Sequence, residues 1–144
     1  MGEIKIIEGE VFRDARGQIS SLNHFMMKDV RRMYFIHHPN ISVIRGWHGH
    51  RLERKWFYCV HGRFTLGLVE IDDWTSPSPN LRPTWLLLDG QESRVACAPA
   101  GWASWIKAEI PDSVLMVMSD KTFDEAMALS DSYRFPGDWW RQGK

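Results

Sequence analysis

The chain has 144 residues, the size of one domain, and its 44% hydrophobic content is enough to bury a core. Lys+Arg and Asp+Glu each number 18, so the formal net charge is +0; with no basic stripe, nucleic acid is excluded as an expected partner, and a small anionic ligand held by one or two arginines is not. Cys59 and Cys97 sit in apolar runs without metal spacing and read as buried thiols, and no stretch has the apolar length of a signal core or a membrane span, so the cytoplasm is the expected compartment.

Short apolar segments alternate with turn signals along most of the chain. Residues 4–12 read as a strand, followed by a turn at Asp14-Ala15-Arg16-Gly17, and residues 18–25 as the next strand. Residues 32–37 and 41–50 follow, parted by a turn at Pro39-Asn40. Residues 56–60 and 63–71 read as a hairpin around His61-Gly62, and 72–83, rich in Ser, Pro and Asp, as a loop. Residues 85–88, 93–98, 103–108 and 113–119 complete the strands. Residues 122–130 place Phe123, Ala126, Met127 and Leu129 at helical spacing, and Asp138-Trp139-Trp140 lies in a tail that packs on the body or on a second chain. Many short strands with one late helix predict an all-β sandwich or barrel, expected to be a single domain over 1–144.

The most informative run is Arg45-Gly46-Trp47-His48-Gly49-His50, continuing through Glu53 and Lys55 to Gly62. Side chains alternate along a strand, so His48 and His50 share one face, about 6–7 Å apart. Two imidazoles on one face are metal ligands, an acid/base pair, or plain surface positions. Lys55 is either a pocket cation or a surface residue paired with Glu53, and its location is a sharp test because lysine is rarely buried alone. The eight Trp read mainly as core, with Trp47, Trp56, Tyr58 and Trp105 as candidates to stack on a ring. His24, His37, His38 and His61 carry no assigned chemistry.

At these residues the sequence resembles the cupin superfamily, whose metal motif is His-x-His, four residues, Glu, six residues, Gly. The spacing fits His48, His50, position 55 and Gly62, but position 55 is Lys55; the second motif, Pro-x-Gly-x-x-His, fits Pro99, Gly101 and Ser104, with serine in the place of the histidine. The resemblance therefore implies a cupin-type double-stranded β-helix (a jelly-roll barrel with a short C-terminal helix) whose metal site has become organic, since a lysine cation repels a metal ion nearby.

Within the cupins the chain resembles two groups that remodel nucleotide-linked 4-keto sugars. Asp14 to Gly17, Met33-Tyr34-Phe35-Ile36, Arg45 to His50, Ser119-Asp120 through Phe123-Asp124-Glu125, and Asp131 through Tyr133 and Phe135 follow the pattern of the dTDP-4-keto-6-deoxyhexose 3,4-ketoisomerases. Arg45-Gly46-Trp47-His48, with Lys55 seven residues before Gly62, is similar to the dTDP-4-dehydrorhamnose 3,5-epimerases. The chain departs from the epimerases where their acid tyrosine belongs, offering Met118 or Phe123, and at Gly101-Trp102-Ala103-Ser104.

The resemblance implies an isomerase or epimerase working through an enolate without cofactor or metal, on a nucleotide-diphospho sugar and as a homodimer. His48 would be the base, Lys55 the charge beside the oxyanion, and His50 the group that returns the proton. Arg45 would grip the diphosphate, with Arg16 helping, from a partner subunit; Trp47, Tyr58, Ser104 and Trp105 would complete the ligand contacts. The alternatives are a barrel that binds a nucleotide sugar without turning it over, and a metal-dependent enzyme using His48, His50 and Glu53.

Overall fold

The computed structural model describes residues 2–141, so the outermost ends of the expected 1–144 span lie outside it. Twelve strands and one helix are placed among those residues. Two five-stranded antiparallel sheets face each other. One, in the order β1-β9-β6-β11-β4, contains Lys5–Glu8, Arg94–Ala98, Lys55–His61, Ser113–Ser119 and Arg32–His38; the other, β12-β5-β10-β7-β8, contains Tyr133–Arg134, Ile44–His50, Trp102–Ala108, Arg63–Glu70 and Thr84–Asp89. A separate ribbon pairs β2 (Glu10–Asp14) with β3 (Gly17–Ser21). This is the expected all-β cupin jelly roll.

Alternation along the strands sorts the side chains into three layers. Phe57, Cys59, Leu66, Leu68, Ala96, Ile106, Leu115 and Val117 point inward and form the core between the sheets. Trp56, Val95, Cys97 and Met118 take the opposite parity and are covered by Leu22, Phe25 and Val30 from the segment after β3. Trp47, Val69, Ile71, Ala103 and Trp105 lie on the outer face of the second sheet, under Trp74, Leu81, Phe135 and Trp140. Strands β6, β7, β9, β10 and β11 are therefore apolar on both faces, which is why period-two patterning in the sequence is blurred. Both cysteines are buried, and burial pushes the Cys59 thiol up to about 12, so it stays protonated.

Two features differ from the sequence reading. The strand expected over 4–12 breaks at Gly9, whose N–H donates to the Ser93 carbonyl at 2.7 Å; the chain leaves β9 there and starts the β2–β3 ribbon. The hairpin expected around His61-Gly62 is not one: β6 pairs with β9 and β11, whereas β7 pairs with β8 and β10. Gly62, at φ +83°, turns the chain from one sheet to the other, and a Cβ there would collide with Ser113. Both segments carry strand chemistry, but their partners are remote in sequence, and local pattern does not encode that choice.

The helix α1, Phe123–Leu129, is the one expected near the end. Thr122 and Glu125 form a reciprocal capping box, and Ser130 closes the helix in the left-handed region. After it, Tyr133–Arg134 adds an unexpected strand to the edge of β5, opposite Gly49 and His48. No helix among the described residues is long and apolar enough to cross a membrane.

Candidate active site

Strand β5 delivers both histidines. Its ladder with β10 pairs Ser104 with His48 and Trp105 with Gly46, skipping Trp47. This bulge shifts the parity, so Arg45, His48 and His50 all face inward while Trp47 faces out. Gly49, between the histidines, lies against the Trp74 ring, where a Cβ would come within 2.7 Å of it. The inward side chains open into a cavity of about 370 Å³ lined by Tyr34, Arg45, His48, His50, Lys55 and Ser104 over Ile36, Phe57, Ile106 and Val117, with Phe35 and His37 also contributing.

Lys55 faces this cavity and is 9% exposed. It is not alone: Nζ donates to the Tyr34 hydroxyl oxygen at 2.8 Å and lies 3.4 Å from a Glu53 oxygen. Glu53 is 3% exposed and sits behind the cavity, with Arg32 at 3.0 Å and His50 Nδ1 at 3.5 Å. The Ser119 hydroxyl also donates to it. Burial pushes the Glu53 carboxyl upward, but Ser119, Lys55, His50 and Arg32 together hold it below its ordinary range, so it is an anion.

The two imidazoles differ in how they are held. His50 Nδ1 lies 2.8 Å from the Asp131 carbonyl oxygen. A carbonyl only accepts, so Nδ1 carries the hydrogen and Nε2 keeps its lone pair. His48 Nε2 lies 3.4 Å from the Arg134 guanidinium, which only donates, so the lone pair of His48 is engaged. Burial lowers both pKa values. For His48 the nearby Arg134, His50, Arg45 and Lys55 lower it further; for His50, Lys55 lowers it while Glu53 and Asp131 partly offset the effect. Both rings are therefore held neutral near pH 7.

Asp131, directly after α1, fixes the connector behind the site. Its carboxylate accepts the backbone N–H groups of Arg51 and Leu52 at 2.8 Å and of Glu53 at 3.1 Å. His50, Glu53 and Asp131 bring donor atoms within 4.8 Å of one another, and His48 is not part of that group. These donors do not suit a metal ion. Asp131 is occupied by three N–H groups, His50 Nδ1 by a carbonyl, and Glu53 by two full cations.

Five positions read as ligand contacts are placed elsewhere. Trp47 is 0% and Trp105 3% exposed; both lie in the outer aromatic layer, with their indole N–H groups donating to the Trp139 and Gly137 carbonyls of the C-terminal tail. They hold the tail and do not line the cavity. Tyr58 and Trp56 point to the outside of the other sheet, where the Tyr58 hydroxyl meets Ser93. Arg16 is exposed on the β2–β3 ribbon, ion-paired with Asp14 and away from this chain's cavity. The tail over 138–140, left open between the body and a second chain, packs on the body: Trp140 is 7% exposed against Trp47.

The sequence reading missed Tyr34 as a cavity group, Arg134 as the partner of His48, and His38. His38 is 1% exposed and accepts from Arg45 Nε at 3.2 Å, so it orients that arginine. Tyr34, Ile36 and His38 alternate inward on β4, and that spacing was the available signal. A larger cavity of about 750 Å³, lined by Arg51, Asp72, Trp74, Arg82 and Trp102 among others, contains neither candidate imidazole.

Comparison with known proteins bears on the family and the fold. A family model described as FdtA: WxcM-like, C-terminal, matches residues 2–137. Among solved structures, the Mycobacterium tuberculosis rmlC epimerase superposes with a TM-score of 0.73 at 21% identity, covering 92% of this chain and 68% of that one. The 3,4-ketoisomerase QdtA from Thermoanaerobacterium thermosaccharolyticum, a double mutant in complex with TDP, gives 0.69 at 19% identity, covering 92% and 87%. ChmJ, a 3'-monoepimerase from Streptomyces bikiniensis in complex with dTDP-quinovose, gives 0.72 at 16% identity, covering 91% and 68%. No curated protein sequence matches the chain.

Proposed function

The chain belongs to the FdtA-type family of WxcM-like C-terminal domains, and we propose that it is an isomerase or epimerase of a nucleotide-diphospho 4-keto-6-deoxy sugar. The observation that carries this reading is the meeting, in one cavity, of a neutral imidazole with a free lone pair and a Lys55–Tyr34 donor pair. The first removes a proton from carbon; the second holds the oxygen that becomes negative. The complexes of solved relatives with TDP and dTDP-quinovose support a nucleotide-diphospho sugar as the ligand.

The electrostatics favour roles different from those expected from sequence. His50 is the better base. The imidazolium it forms faces the Glu53 anion and the Asp131 carbonyl, whereas a proton on His48 would sit among Arg134, Arg45 and Lys55. Because Lys55 donates to the Tyr34 oxygen, the phenolic hydrogen is left to point at a substrate carbonyl. Tyr34 thus fills the place of the acid tyrosine that sequence matching did not find.

Removal of the C3 proton by His50 leaves an enolate on the C4 oxygen, stabilised by Tyr34 and Lys55. If the O3 hydroxyl proton passes to O4 and the base returns its proton to C4, the carbonyl moves to C3. If a second acid on the opposite face protonates C3 instead, and His50 gives up its own proton to solvent, the outcome is epimerisation. Neither route changes the oxidation level overall, and neither requires a redox cofactor. Arg45, oriented by His38, takes the diphosphate, and Ser104 contacts the sugar. In a homodimer, Arg16 of the exposed ribbon would reach a neighbouring ligand.

The test is incubation with dTDP-4-keto-6-deoxyglucose in D2O. Deuterium at C3 or C4 of the sugar, read by NMR, supports the assignment. Tight binding without exchange would leave a binding protein instead.

A further inference from the structure

We propose that Glu53 is the positioning residue of this site, a single buried carboxylate that holds His50 and Lys55 in working orientation and neutralises the cation formed on His50. The inference deepens the isomerase reading and rests on it. Glu53 does not line the sugar-sized cavity, so it does not touch a ligand there. It borders a second chamber of about 320 Å³, on the α1 side, together with Arg32 and His50.

The two oxygens of Glu53 divide the work. Oε1 faces His50 Nδ1 at 3.5 Å, while Oε2 faces Lys55 at 3.4 Å, Arg32 at 3.0 Å and the Ser119 hydroxyl. The residue lies in the connector between β5 and β6, and its backbone N–H is fixed by Asp131. Its carboxylate therefore cannot follow one partner without leaving the other. Lys55 from β6, Asp131 from the segment after α1, His48 from β5 and Glu53 itself are the titratable groups around His50, with Arg32 of β4 behind Glu53. Glu53 is the carboxylate that pairs with Lys55 and also faces His50, so its loss leaves a buried cation beside a ring that must accept a proton.

The experiment is an NMR titration of the histidine rings in the ligand-free protein, with kinetics alongside. Glu53→Gln should move the His50 midpoint down by about one pH unit and lower kcat on the order of 10²-fold with KM nearly unchanged. Glu53→Asp should recover part of both. Arg32→Gln removes a competing cation from Oε2, leaves more of the negative charge for His50, and should move the midpoint up. A folded Glu53→Gln protein in which His50 titrates as in the wild type overturns the proposal. If Glu53→Gln does not fold, the sign for Arg32→Gln decides: a rise supports the proposal, and no change or a fall overturns it. Absence of exchange on any keto sugar by the wild-type protein would remove the isomerase reading while leaving the His50 titration to judge Glu53.

Discussion

The two faces of β5 and β10 put their side chains to opposite ends. On the inner face, Arg45, His48, His50 and Ser104 border a cavity, and the first three are held by polar contacts from other elements. On the outer face, Trp47 and Trp105 are sealed by Trp74, Phe135 and Trp140, and their indole N–H groups end in the tail. One face keeps polar groups available to a ligand; the other removes large aromatic surface from water and fastens residues 135–140. Adjacent positions in one short motif thus serve chemistry and stability separately, and the bulge at Trp47 sets the boundary.

Substitutions sharpen or break this contrast. The largest effect is expected for His50→Asn, which should lower the deuterium exchange rate by about 10³-fold or more while ligand affinity by calorimetry stays within a few-fold. Equal loss of both would end the base assignment. Trp105→Ala should cost about 3–5 kcal/mol of unfolding free energy in urea, by removing an indole from a packed layer; if the protein stays as stable as wild type and loses only turnover, the outer face is not a packing face. Tyr34→Phe removes the hydroxyl beside Lys55 and should lower kcat by about 10²-fold with little change in the urea midpoint. Arg45→Ala should weaken nucleotide-sugar binding by roughly tenfold and more steeply at low salt. Arg16→Ala should leave the melting temperature unchanged, since its ion pair with Asp14 is exposed.

The pH profile tests the inner face as a whole. Burial and neighbouring cations hold both histidines below 6.5. The basic form of His50 therefore dominates at neutrality, and kcat/KM should be flat near pH 7 and fall as pH drops through that lowered midpoint. A limb at or above pH 7 would mean that the titrating base is not this ring.

Much of this protein was legible in its sequence. The alternation of apolar segments with Gly, Pro and Asp turns gave the all-β class, because strand propensity and turn chemistry are local properties. The spacing of His48 and His50 gave their shared face, because strand parity is geometry, and the spacing of Phe123, Ala126, Met127 and Leu129 gave the late helix. Only the tertiary structure decided the rest. Which strand pairs with which, where β5 bulges, and whether Trp47 faces a ligand or the tail depend on contacts between residues far apart in the chain. The joining of Tyr34, Glu53, Lys55, Ser119 and Asp131 around two histidines follows from the closing of two sheets over one another, and no local pattern records that closure.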